Sequence, residues 1–336
     1  MMMFHAIGDL AQSISIRRQS ASAESDVMRL TKELSSGKTS NVSQHLGGSF
    51  GQLADMETQL ALKQAYRTAG TLASTQAAMM QSALEIVQIQ MTGLAGQAMQ
   101  TGFTGGGAAL GVVSNGAQEV LGTMVSALNT TVAGRAVFAG SSVRTAPLAS
   151  SAQIMDAARL AVAGSTDASA VMAALDGFFD SAGGGFETMI YLGGTDDLSP
   201  HRLGNGEEVS LAIRADDTQI RTALKNTVMA ALSGDNTLAL SDDERMTLMR
   251  ASGTAMSVGV DELIGLRADL GTAEERIDQS MTRNAAEQSS LKIARNDLLA
   301  VDPFETASAL EQAQLRLEMI YTLTARSSRL SLVNFL

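Results

Sequence analysis

Asp302-Pro303-Phe304-Glu305, followed by an apolar stripe and the uncharged ending Leu330-Ser331-Leu332-Val333-Asn334-Phe335-Leu336, is the stretch that decides the fold. Asp302 can accept from the first free amides of a helix, Pro303 suits the first helical position, and Glu305 stands where a capping carboxylate reaches back. Behind this start, Leu310, Ala313, Leu317 and Ile320 recur at spacings of three and four, which places them on one helical face. Arg326 and Arg329 come late, as the helix dipole favours. Chain ends usually fray. Here Leu330, Leu332, Val333, Phe335 and Leu336 crowd the last seven positions, and a large apolar side chain gains roughly 1.5–3 kcal/mol on full burial. Such an end needs a partner, and the first candidate is the opposite end of the chain.

That opposite end has the same character. Ile7, Leu10, Ile14, Ala21 and Met28 lie near a seven-residue pattern, and Val27, Leu30 and Leu34 carry a shifted stripe, as after a stutter. Neither terminal helix is stable alone in water, because most helical stability comes from packing an apolar face. The stripe of Ile7, Leu10 and Ile14 is therefore expected to pair with Leu310, Leu317 and Ile320.

Inward from the ends, Ser35 to Gly51 is polar and glycine-bearing and reads as a loop. A long helix is predicted from about Leu53 to Gln100, with Leu62, Ala65, Ala69, Leu72, Met79, Ala83 and Ile86 as its seam and Gln76 inside it. The glycine cluster from Gly102 to Gly107 stops it, and a third helix runs from about Ala108 to Ala133. On the return side, Ser241 and Glu244 make a capping box. Leu263, Leu270, Ile277, Asn284, Leu291 and Leu298 then fall at strict seven-residue intervals, a coiled-coil signal in which Asn284 would fix register. The middle, about Pro147 to Ser241, carries short helices around Ala152 to Val162 and Ala168 to Phe179, and strand-like runs at Phe186 to Leu192 and Glu208 to Ile213. The fold class is thus mainly α: a long helical coiled-coil rod formed by the N- and C-terminal segments, with an inserted smaller α+β domain. Expected boundaries are 1–34 with 302–336 for the paired ends, 35–146 with 242–301 for the rod, and 147–241 for the insert.

Composition narrows the function. Of 336 residues, 45% are hydrophobic but only 4% aromatic, with no Trp, which favours closely packed long helices over a bulky globular core. A net charge of −11 opposes general binding to nucleic acid or anionic lipid. The chain has no cysteine, which removes disulfides, thiol catalysis and thiolate metal sites together. Met1 to Ile16 lacks the pattern of a signal peptide, and no run of about 18 apolar residues offers a membrane span.

Motifs with chemical potential fare poorly. Gly47-Gly48-Ser49-Phe50-Gly51 has the pattern of a nucleophilic serine elbow, but the preceding segment is a poor strand and His201 is the only downstream histidine. A Ser49 hydrolase is kept only as a distant alternative. Ser36-Gly37-Lys38-Thr39 resembles the end of a phosphate loop, yet Lys32 stands where its first glycine belongs. His5, His45 and His201 are too scattered for a ligand set. Asp196-Asp197, Asp216-Asp217 and Asp242-Asp243-Glu244 read as solvated or helix-start charge. No catalytic, cofactor or metal residue is assigned, and no enzyme is expected.

Several stretches resemble the bacterial flagellin family, which includes filament flagellins and hook–filament junction proteins. Leu30-Thr31-Lys32-Glu33-Leu34-Ser35-Ser36-Gly37-Lys38 is similar to its N-terminal signature. Gly134-Arg135 through Phe138-Ala139-Gly140-Ser141, with Thr145-Ala146-Pro147, is similar to the segment where such chains leave the rod, and Gly265 to Ile277 to their returning helix. The ending Leu330 to Leu336 is nearer to the junction proteins than to filament flagellin, which is the close alternative. Asn41 to Leu46 departs from the acidic segment common after the signature. The resemblance covers both ends and hardly the middle. It implies a structural subunit of the extracellular flagellum, exported unfolded without a cleaved signal peptide and joining hook to filament by self-assembly. Its implied partners are copies of itself, the hook-side junction protein and flagellin, and an export chaperone, with neither nucleic acid nor membrane. The assembly interface expected on this reading is Ile7, Leu10, Ile14, Leu310, Ala313, Leu317, Ile320, Leu330, Leu332, Val333, Phe335 and Leu336.

Overall fold

A computed structural model describes the backbone of residues 3–48 and 50–333 and the side chains of residues 11–48 and 50–326. The chain is mainly α, built on long helices with two two-stranded hairpins among the described residues. It divides into a terminal unit, Met1–Lys63 with Ala286–Leu336, and a central unit, Gln64–Ala285.

The terminal unit contains α1 (Met3–Ser36), the short α2 (Val42–His45), the first part of α3 (Gly51–Thr104), the last part of α8 (Asp242–Leu299) and α9 (Pro303–Val333). Helix α9 starts as its sequence dictates: Asp302 Oδ1 accepts from the amides of Phe304 at 2.8 Å and Glu305 at 3.1 Å. Glu305 does not complete the box; it is exposed. Helices α1 and α9 pack on each other. Helix α1 ends at Gly37, whose φ of +68° favours a residue without a Cβ. From this turn Thr39 N donates to Leu299 O at 2.9 Å and Val301 N to Gly37 O at 3.1 Å. Buried Glu33 fastens the same turn by accepting from Ser40 N at 2.8 Å and Arg29 at 3.0 Å. The Ser-Gly-Lys-Thr stretch is therefore a helix-ending turn. The segment read as loop also holds α2, capped by Asn41 on Gln44 N. Further along, α3 and α8 are joined by Arg295–Glu57 at 3.1 Å and by Lys63–Glu287.

In the central unit α3 and α8 run antiparallel. Gly70 faces Met281, Gly259 faces Met91 and Gly253 faces Met99, while Arg267 bonds Gln81 at 3.4 Å and Gln88. Buried α8 residues Met249, Met256, Leu263, Leu270, Ile277 and Asn284 keep the seven-residue interval. On α3 the sequence reading found only part of the seam: Gln76 and Ala83 are buried and Ala69 half-buried, but Leu62 in the terminal unit and Ala65, Leu72, Met79 and Ile86 here are exposed, whereas Ala73, Met80, Val87 and Leu94 with Ala77, Leu84, Met91 and Ala98 are buried. Both rows are apolar and both repeat every seven residues, so periodicity alone does not choose between them.

The rest of the central unit shares one hydrophobic core with these helices. It comprises α4 (Gly107–Leu128), the hairpin β1 (Thr131–Val132) and β2 (Arg135–Ala136), α5 (Ser151–Ala161), α6 (Ala168–Phe179), the hairpin β3 (His201–Gly204) and β4 (Glu207–Val209), and α7 (Thr218–Ser233). Helix α7 was missed in the sequence because Val228 to Leu232 are buried all round, which erases the amphipathic signal. It packs on α4, α6 and α5. The expected strand at Phe186 to Leu192 is instead a π-helical turn, Phe186–Ile190. Its entry is set by Gly185, where a Cβ would lie 2.0 Å from the Phe178 ring. The turn drives Phe186 against Phe179 with ring centroids 5.5 Å apart. The strand expected at Glu208 to Ile213 is confined to β4, paired with β3.

Candidate assembly surface

Helix α1 carries two apolar rows on opposite faces. One comprises Ile16, Ser20, Ala23, Val27 and Leu30, all buried or half-buried. The other, two residues out of phase and so about 200° away at 3.6 residues per turn, comprises Ile14, Arg18, Ala21, Ser25, Met28 and Lys32, all exposed. Ile14 is 44% and Met28 67% exposed. The inward row packs toward α9, whose own inward row is Thr306, Leu310, Ala313, Leu317 and Ile320. Ala313 and Ile320 are buried, and Leu310 and Leu317 half-buried. Between the helices the Tyr321 hydroxyl donates to Glu24 at 2.8 Å. That bond holds the phenol above its usual range.

The expected pairing is corrected on one side. The α9 residues lie where the periodicity placed them, but Ile14 faces out and its place is taken by Ile16, Ala23, Val27 and Leu30. Ile7 and Leu10 lie on the helical backbone of α1, and Leu330, Leu332 and Val333 on that of α9; their side chains are outside the described residues, as are Phe335 and Leu336 entirely.

Helix α9 is likewise two-faced. Its outward row runs Phe304, Ser308, Glu311, Leu315, Glu318 and Thr322, with Met319 and Leu323 beside it. Phe304 is 83%, Leu315 58% and Met319 59% exposed. The sequence reading missed this row, although its signal is present as large apolar residues two positions beyond the first stripe. Large apolar residues left exposed in number on paired helices, here Ile14 and Met28 on α1 and Phe304, Leu315, Met319 and Leu323 on α9, mark a contact surface even where charged residues lie between them.

The other motifs resolve into structure. Ser49 lies outside the described residues. His45 is exposed at the end of α2, and His201 sits in β3 beside Gln76 at 3.3 Å. Burial, then the Arg135 charge, keep the His201 imidazole below its ordinary pKa. Two acidic pairs converge: Arg214 bonds Asp216 at 2.8 Å and Asp197 at 2.7 Å, while its own amide donates to Asp217 at 3.0 Å. Ser241 caps α8 by accepting from Glu244 N at 3.3 Å, but the Glu244 carboxylate turns away to accept from Ala168 N at 2.7 Å, at the start of α6. Asn284 bonds the Leu203 carbonyl of β3 at 2.6 Å, so it holds the β3–β4 hairpin rather than only a helix register. Among the described residues no group of three His, Cys, Asp or Glu could hold a metal ion, and no helix is long and apolar enough to cross a membrane.

Comparison with known proteins bears on this surface. The family model of the bacterial flagellin C-terminal helical region matches residues 257–336, which takes in the end of α8 and all of α9. No curated protein sequence matches. Among solved structures, FlgL of Bacillus cereus is similar at 14% identity and a TM-score of 0.52, covering 72% of this chain and 100% of that one. A putative flagellar hook-associated protein of Vibrio parahaemolyticus is similar at 11% identity and a TM-score of 0.50, covering 73% and 95%. At such identities these two show a shared fold. The returning helix and the terminal helix that pairs with α1 thus match the bacterial flagellin C-terminal helical region.

Proposed function

We propose that this chain is a structural subunit of the bacterial flagellum that joins hook to filament by self-assembly through its terminal helices. The observation that carries the reading is the two-faced character of α1 and α9: one row of each is used within the chain, and the other is left apolar and exposed. The match of residues 257–336 to the flagellin C-terminal helical region supports a flagellar location. The likeness to FlgL and to a hook-associated protein favours the junction over the filament itself.

On this reading the assembly interface comprises Ile7, Leu10, Ile14 and the C-terminal Leu330, Leu332, Val333, Phe335 and Leu336. Leu310, Ala313, Leu317 and Ile320 act first by seating α9 on α1. Head-to-tail contacts of this kind are heterologous, so they extend or close into a ring according to geometry. The role is non-enzymatic. The subunit passes through the flagellar channel unfolded, which the absence of cysteine permits. An export chaperone covers the apolar terminal rows before assembly. The neighbours are flagellin on one side and a hook-side junction protein on the other.

Immunogold labelling of intact flagella tests the position. A single band at the hook–filament boundary is expected. Label along the whole filament would overturn the junction reading in favour of filament flagellin.

A further inference from the structure

The outward rows of α1 and α9 differ in charge. On α1 the exposed row and its edge carry Arg17, Arg18 and Lys32; on α9 they carry Glu305, Glu311 and Glu318, with Arg316 on the flank. Arg18, Lys32, Glu305 and Glu318 make no ion pair among the described residues, in contrast to Arg29, which is held by Asp26 and Glu33. A basic apolar row and an acidic apolar row on the outside of one helix pair cannot meet within the chain, because the inward rows already occupy the seam.

We propose that the outward row of α1 in one copy docks, antiparallel, on the outward row of α9 in a second copy. This rests on the assembly function above and deepens it by naming the two faces that meet. Spacing supports the match. Arg18 and Lys32 are 14 residues apart and Glu318 and Glu305 are 13 apart, which at 1.5 Å per residue gives separations of roughly 21 and 20 Å. With Arg18 opposite Glu318, Lys32 comes opposite Phe304 with Glu305 one residue along, Ala21 opposite Leu315 and Ile14 opposite Thr322. The small Ala21 leaves room for the Leu315 side chain, and Met28 lies over Ser308, so large residues meet small ones along the row. The charged pairs at either end set register and direction more than they add affinity.

Both tests use the full chain in cells that build flagella. In the first, R18E/K32E and E305K/E318K are made separately, together in one chain, and as two co-expressed chains. Either double variant alone is expected to lower incorporation about tenfold or more, the cost of roughly 1.4 kcal/mol per contact. The four-residue variant is expected to recover it, because it presents opposite charges across every contact, and the co-expressed pair to recover it in part, wherever the two chains alternate. In the second, A21C and L315C introduce the only cysteines of the chain. Oxidation of isolated flagella is expected to give intermolecular disulfide-linked ladders from the double variant, and dimers from a mixture of the single ones.

Normal incorporation of each charge double alone, failure of both combinations to recover, or absence of cross-links in a subunit that does incorporate would overturn this pairing while leaving the assembly function standing. A wild-type chain absent from flagella would overturn the assembly function itself.

Discussion

The central and terminal units are built from the same kind of helix but bury it differently. In the central unit Met80, Leu84, Met91, Leu121, Phe138 and Phe179 are fully enclosed. Buried Arg245 is satisfied as well: it donates to the carbonyls of Ser233, Asp235, Leu238 and Leu240 at 2.8–3.2 Å, closing the C-terminal end of α7. In the terminal unit the buried apolar residues among those described are Ala23, Leu30, Leu60, Ala313 and Ile320, two of which are alanines on the α1–α9 seam and one on each helix. Ordering a residue costs about 1–2 kcal/mol of backbone entropy, and a seam with so few fully buried side chains offsets little of it. One region carries its own core; the other, on the assembly proposed above, completes its core with neighbours.

Substitutions in the two regions should therefore fail in different assays. The largest effect is expected from L317D/I320D, which places two carboxylates in the α1–α9 seam. It should abolish incorporation into flagella while leaving the thermal unfolding of the central unit unchanged; a parallel loss in that transition would erase the distinction between the regions. Next comes Phe179→Ala, which removes a fully buried ring and should cost about 3–5 kcal/mol of central-unit stability in denaturant titration. Arg245→Met should cost about 1–3 kcal/mol, because it strands buried carbonyls without adding a clash. By contrast, Leu315→Ala on the outward row should change folding stability by less than about 0.5 kcal/mol and yet reduce incorporation, which sharpens the comparison directly.

The smallest effect is one of pH. His201 has a folded pKa below its unfolded value, from burial and then from Arg135. Its contribution to stability is thus complete above about pH 6.5 and is lost as pH falls through the lower folded value. Central-unit melting should drop on acidification through this window, and His201→Gln should flatten that part of the profile. An unchanged acid slope in the variant would show that other groups carry it.

The family resemblance was legible because it rests on local chemistry that sequence displays. The Ser35–Lys38 signature is the turn that ends α1, and the stretch from Gly265 to Ile277 carries part of the buried α8 row. The candidate surface was half legible. Leu310, Ala313, Leu317 and Ile320 share the inward face of α9 as their spacing implies, because that helix shows one dominant stripe beginning at a clear cap. On α1, Ile14, Ala21 and Met28 were taken for the inward row and face out. Helix α7 and the π-helical turn after Gly185 went unseen for a different reason: α7 is buried all round, and the turn depends on the Phe178 ring meeting the one residue without a side chain.

By itself the sequence determined where α8 and α9 begin, since their caps and Pro303 act through bonds within a few residues. It determined too the seven-residue repeat that obliges these helices to pair. Only the tertiary structure decided which of two equivalent rows turns inward on α1 and on α3. A repeat states that an apolar face must be covered, whereas the choice of face depends on the shape and composition of the partner lying against it.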